Sequence, residues 1–189
     1  MKNSFKISLC AIMVALSFVL AWVSKIIPSP WMQGGQITIA SAVPIMVASF
    51  ICGGGYGILA AVVYSIIQII SGFYAPPTQD FISFAIVILF DYVIAFGVYG
   101  LAGSFYSLMG KKKAAIPISG AVCMILRYVC HIISGVFIWN VYAEGNQTAI
   151  AYSVTYNGGY MIPEIIITTI VLAVMIPVIK RLEAKYGER

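Results

Sequence analysis

The chain has 189 residues, of which 61% are hydrophobic and 9% charged, with a formal net charge of +5. An ordinary soluble domain carries roughly 25% charged residues, so a chain of this size could not hide so much apolar surface from water. The composition places the protein in a bilayer, and the length leaves room for one bundle and no appended catalytic domain.

Apolar runs near the length needed to span the hydrocarbon, about 20 residues each, predict an all-α membrane protein with six transmembrane helices in a single bundle over residues 1–189. The first runs over 7–27 and is closed by Pro28-Ser29-Pro30. Lys2 and Lys6 precede it as in a signal peptide, but it is too long for a signal core and has no small-x-small cleavage site, so it is retained. Its Ala11-Ile-Met-Val-Ala15 pattern sets small residues four apart, which suits close approach of a helix from a partner or from within the bundle. A second helix is expected over 36–52 despite Gln36, Thr38, Ser41 and Pro44, and a third over 55–74, between Gly53-Gly54-Gly55 and Pro76-Pro77, carrying Tyr64. The fourth covers 81–108 and the fifth 114–139, with the sixth at 160–179.

Basic residues set the orientation. Lys2, Lys6, Lys111-Lys112-Lys113, Lys180, Arg181, Lys185 and Arg189 fall at the termini or in the fourth loop, with only Lys25 on the other side. The positive-inside rule then makes both termini cytoplasmic. The outward loops carry Trp31, Gln33, Gly34 and Gly35, then Asp80, then Tyr142, Glu144, Asn146 and Tyr152. That content suits either a pocket opening outward or an interfacial aromatic belt. Cys10, Cys52, Cys123 and Cys130 lack metal-binding or CxxC spacing and read as small buried hydrophobes. The Asn146-Gln147-Thr148 sequon is a three-residue match with no weight of its own.

Ionisable groups at membrane depth are costly and point to function. On the fifth helix Arg127, His131, Gly135 and Trp139 recur every four residues and share one broad face. Gly135 either leaves room for a flat ligand or allows close helix packing. Asp91, beside Tyr92, is either neutralised by Arg127 or free for a cation. Aromatic faces attract cations and a desolvated positive charge needs a counter-ion, so this constellation suits a flat cationic heteroaromatic molecule. His131, Tyr152, Tyr156 and Asn157 offer hydrogen bonds to its nitrogens. No phosphate-cradling loop, HExxH, nucleophile elbow or carboxylate pair suggests an enzyme.

Pro30-Trp-Met-Gln33-Gly-Gly, Phe90-Asp91-Tyr92-Val-Ile-Ala-Phe, Leu126-Arg127-Tyr128-Val-Cys-His131-Ile-Ile-Ser-Gly135-Val-Phe and Tyr152-Ser-Val-Thr-Tyr156-Asn157-Gly-Gly-Tyr160-Met-Ile-Pro163 resemble the thiamine-specific S components of energy-coupling factor transporters, the ThiT family. The resemblance implies a six-helix bundle that captures thiamine near its outer surface. It also implies a separate transmembrane scaffold subunit and two cytoplasmic ATPases, with thiamine as cargo and no cofactor. Carried over by motif, the Asp91 carboxylate lies near the thiazolium beside Tyr92, and Trp139 stacks on the ligand. His131 and Tyr152 meet the aminopyrimidine, Gly135 allows close backbone approach, and Asn157 makes a polar contact. Trp31, Gln36, Tyr64, Arg127 and Tyr156 complete the candidate set, and Ala11 and Ala15 match the face that docks the scaffold. The competing classes are a stand-alone ion-coupled carrier, which would show repeats or broken midplane helices, and an inactive membrane scaffold.

Overall fold

The computed structural model describes residues 3–26, 28–32 and 34–186. Expectations resting on Lys2, Ile27, Gln33 and Arg189 lie outside the described residues. Every element among those described is helical. They are α1 (Asn3–Ser24), α2 (Val43–Cys52), α3 (Gly54–Gly72), α4 (Phe81–Leu108), α5 (Ala115–Phe137), α6 (Ala149–Val174) and α7 (Ile176–Tyr186). All but α2 and α7 are long and apolar enough to cross a membrane. Ile12, Leu16, Val19 and Trp22 on α1 and Ile166, Ile170 and Val174 on α6 are exposed, which gives the bundle its lipid-facing belt.

The first and last helices meet at one end, where Phe5 stacks on Tyr186 with ring centroids 4.9 Å apart. Lys6 lies over the Tyr56 ring, and Lys180 donates to the Tyr106 hydroxyl, the Lys111 carbonyl and Glu183 at the same end. The aromatic loops fall at the other. Asp80 belongs to those loops and caps α4: the Ser83 hydroxyl and amide donate to its carboxylate at 2.7 and 3.0 Å. The Ser83 hydroxyl bond, followed by the amide bond, holds the Asp80 carboxyl below the usual carboxylate range.

Helix boundaries depart most from the sequence expectation in two places, and both build the site. The expected helix over 36–52 begins only at Val43. Pro44 fits the first turn of α2, while residues 34–42 descend in irregular form, with Ala40 at a φ of 54°. Their amides find partners elsewhere: Ile39 N–H donates to Ser24 Oγ at 2.8 Å, and Thr38 N–H donates to the Glu164 carboxyl. Irregular backbone at membrane depth survives where it is buried in protein or lines a cavity.

The second departure is α6, which begins at Ala149 rather than near residue 160. Thr148 caps it, its hydroxyl accepting the Ala151 N–H at 3.2 Å. Tyr152, Tyr156 and Asn157 are therefore helical rather than loop residues, and packing of α6 on α5 carries the helix through Gly158-Gly159. The fourth helix keeps its expected bounds but contains a π-helical turn at Ile88–Val93 and a tight 3₁₀ turn at Val98–Leu101. The wide turn holds Asp91 and Tyr92, in keeping with the frequent placement of such turns at functional sites.

Candidate functional site

A cavity of about 550 Å³ lies toward the end opposite the termini, lined by α1, α3, α4, α5, α6 and the irregular segment before α2. Asp91, Tyr92, His131, Trp139, Tyr152, Asn157, Gln36, Arg127 and Tyr156 line it. Those residues come from four separate stretches of sequence, so folding brings most of the candidate set to one place.

A chain of buried polar groups fixes its floor. Arg127 Nη1 donates to the Tyr99 hydroxyl at 2.5 Å, and Arg127 Nε donates to His131 Nε2 at 3.2 Å. A guanidinium only donates, so Nε2 is the acceptor of a neutral imidazole and the ring proton sits on Nδ1. That nitrogen lies 2.9 Å from Asp91 Oδ1 and donates to it. Ser134 Oγ and Trp139 Nε1 donate to Asp91 Oδ2 at 2.6 and 3.0 Å. Asp91 is thus held by three neutral donors, and the guanidinium reaches it only through His131. The alternative in which Arg127 neutralises Asp91 directly does not occur. Arg127 instead stacks over Phe96, with its guanidinium carbon 4.7 Å from the ring centre.

This arrangement redistributes the chemistry expected of individual residues. Both His131 nitrogens are engaged, so it offers a ligand only its ring. The Tyr92 hydroxyl accepts the Tyr74 N–H at 2.9 Å and donates to the Gly72 carbonyl at 3.2 Å, which leaves its ring face. Asn157 Nδ2 donates to the Ser153 carbonyl at 2.9 Å and the His131 carbonyl at 3.2 Å, tying α6 to α5, while Oδ1 accepts from Tyr160. The buried Tyr152 hydroxyl has no protein partner, and its ring stacks on Tyr156 at 5.5 Å. The cavity therefore presents aromatic faces, one carboxylate backed by neutral donors, and one uncommitted hydroxyl. That is the chemistry of a site for a flat cation. Among the described residues no group of His, Cys, Asp or Glu is arranged to hold a metal ion.

Three candidates lie outside the lining. Trp31 packs edge-on against Tyr160 at 5.7 Å. Tyr64 is fully buried, edge-on to Phe96, and accepts from Gln68 at 2.8 Å. Gly135 faces α6, where a β-carbon would collide with the Ser153 hydroxyl and approach Asn157 Nδ2 to 3.1 Å. The reason is helical drift. Each step of four residues turns about 40° past a full turn, so by Gly135 the stripe begun at Arg127 has rotated from the cavity to the neighbouring helix. Ser134, seven residues after Arg127, stays on the cavity side and binds Asp91. Seven-residue spacing was the signal that could have found it. Gly135→Val is expected to destabilise the fold by about 1–3 kcal/mol through overpacking at the α5–α6 contact, read as a lowered Tm. Unchanged Tm with weakened ligand binding would return Gly135 to the cavity.

Tyr160, Phe96, Gln68, Thr38 and Ser41 also line the cavity without having been singled out from the sequence. Tyr160 follows Tyr152 and Tyr156 at helical spacing, a signal hidden by reading 152–157 as loop. Lys25 reaches the rim, with its ammonium 3.5 Å from the Ser71 carbonyl.

A family model described as thiamine transporter protein matches residues 7–184. The chain belongs to the thiamine transporter family. The thiamine transporter ThiT of Bacillus subtilis (strain 168) is 32% identical over 181 residues, covering 91% of this chain and 90% of that protein. A solved structure of ThiT from Listeria monocytogenes superposes with a TM-score of 0.74 over 96% of this chain and 98% of its own, at 18% identity. That likeness confirms the all-helical bundle. The thiamine transporter family is one of multi-pass membrane proteins rather than enzymes, and thiamine is its cargo, not a cofactor.

Proposed function

We propose that the protein is the thiamine-capturing subunit of an ATP-driven importer, taking its ligand from outside the cell. The observation that carries the reading is the Asp91 carboxylate, set among neutral donors beneath aromatic faces in a cavity sized for a small heteroaromatic. In this reading Asp91 is the counter-ion of the thiazolium, Trp139 and Tyr92 supply ring faces, and the Tyr152 hydroxyl serves the aminopyrimidine. Membership of the thiamine transporter family supports the choice of ligand. The positive-inside rule puts the basic end, with both termini, in the cytoplasm and the cavity mouth outside.

Energy comes from other chains in this reading, because the sequence holds no nucleotide-binding loop. Ala11 and Ala15 are exposed on α1 beside Ile12 and Leu16, an outer face smooth enough for a scaffold helix to approach closely. Two cytoplasmic ATPases would complete the machine.

Purified protein titrated with thiamine is expected to show saturable quenching of tryptophan fluorescence, and Trp139→Ala should weaken binding by about 1–3 kcal/mol. Absence of saturable binding would end the thiamine reading. Uptake should need co-expressed scaffold and ATPase subunits; uptake by this chain alone would establish the stand-alone carrier instead.

A further inference from the structure

The irregular wall of the cavity has no helix of its own to hold it. Residues 34–38 run beside one face of α6, and their contacts fall in order along it. Tyr156 donates its hydroxyl to the Gly34 carbonyl at 2.9 Å. Gly35 lies so close to Tyr160 that a β-carbon would come within 2.5 Å of the ring. Thr38 donates its N–H to the Glu164 carboxyl. Tyr156, Tyr160 and Glu164 are spaced four residues apart, so they form one continuous ladder on α6. Just outside this run Trp31 sits on Gly159, where a β-carbon would meet the indole nitrogen at 2.9 Å.

Glu164 is the deepest rung and the least expected residue there. It is 1% exposed, and its second carboxyl oxygen has no hydrogen-bond partner. It does not line the cavity. A buried carboxyl group in a membrane helix is costly enough to need a purpose, and here it meets a backbone amide that would otherwise be unpaired at membrane depth. The residues it secures are those the cavity uses: Thr38 and Ser41 line it, and their hydroxyls bond to each other at 2.8 Å.

We infer that Glu164 is a positioning residue for the bound ligand: by holding Thr38 it clamps the irregular wall to α6 and sets how long the ligand stays, without touching it. The inference rests on the thiamine reading for its ligand but on geometry alone for the clamp. Two measurements separate these. Hydrogen exchange of residues 34–42 reads the clamp, with no ligand present. Slow exchange is expected in the wild type, and fast exchange there would overturn the inference outright.

Glu164→Leu keeps the volume and removes the acceptor, so exchange over 34–42 should rise by about tenfold or more, with α5 unchanged. Glu164→Gln keeps a carbonyl oxygen for the Thr38 amide and should restore wild-type exchange. Thiamine dissociation from Glu164→Leu should accelerate by about tenfold with association little changed, and Glu164→Gln should again behave as wild type. Glu164→Ala serves the same purpose if Glu164→Leu does not fold. Wild-type exchange and dissociation in Glu164→Leu would overturn the inference, as would failure of Glu164→Gln to rescue or a loss confined to association. If wild-type protein bound no thiamine, the functional reading would fall while the exchange arm still decided the clamp.

Discussion

Asp91→Asn is expected to weaken thiamine binding by about 3 kcal/mol, some 100-fold, the scale for breaking one side of a buried charge pair. The amide keeps the shape of the carboxylate but not its charge or its acceptors. His131 donates to one oxygen, and Ser134 and Trp139 share the other. An amide nitrogen on the first side would face the His131 N–H; on the second it would face the indole N–H, which cannot reverse its role as a hydroxyl can. Either way the counter-ion is lost and one ring that shapes the cavity loses its anchor. Isothermal titration with thiamine and with an analogue bearing a neutral ring in place of the thiazolium separates the two effects. The loss should be larger for the charged ligand. Equal losses would make Asp91 a scaffold for Trp139 and His131 rather than a counter-ion.

Much of this site was legible because charge inside apolar sequence is conspicuous. Asp91 stands out in one membrane-grade run and Arg127 and His131 in another, and the bundle has few ways to arrange them. What the sequence withheld depends on tertiary partners. Nothing local to Thr38 shows that its amide will be met by Glu164, 126 positions away, so 36–42 read as helix. The sixth helix was expected only from 160, just after Gly158-Gly159, where each glycine disfavours helix by about 1 kcal/mol, yet packing against α5 outweighs that cost. The four-residue stripe on α5 brings Arg127 and His131 to the cavity lining and drifts off it by Gly135. Trp139 reaches the site although its helix has ended at Phe137, because the 3₁₀ turn that follows swings the indole back onto Asp91 and Ser134. The link between Asp91 and Arg127 was posed from sequence as a direct pair or none; the imidazole between them was the answer.

That imidazole makes Arg127 the residue whose loss should cost the fold most. Arg127→Met is expected to lower stability by about 3–5 kcal/mol, the range for removing one member of a buried ionic network, read as a drop in Tm of detergent-solubilised protein. Methionine fills much of the volume and still packs on Phe96, so the loss is electrostatic. The Tyr99 hydroxyl and His131 Nε2 lose the donor that satisfies both, and Asp91 loses the buried guanidinium that reaches it through His131. Arg127→Lys should recover only part of the loss, because an ammonium lacks the fork that serves two acceptors in fixed directions. Thiamine at 100 times its Kd would restore about 2.7 kcal/mol to whichever variants still bind it. A Tm for Arg127→Met equal to that of the wild type would mean that the guanidinium is dispensable to the bundle and that His131 is oriented by Asp91 alone. Rescue by thiamine in Arg127→Met but not in the double variant with Asp91→Asn would place the ligand's cation on the Asp91 side of the imidazole.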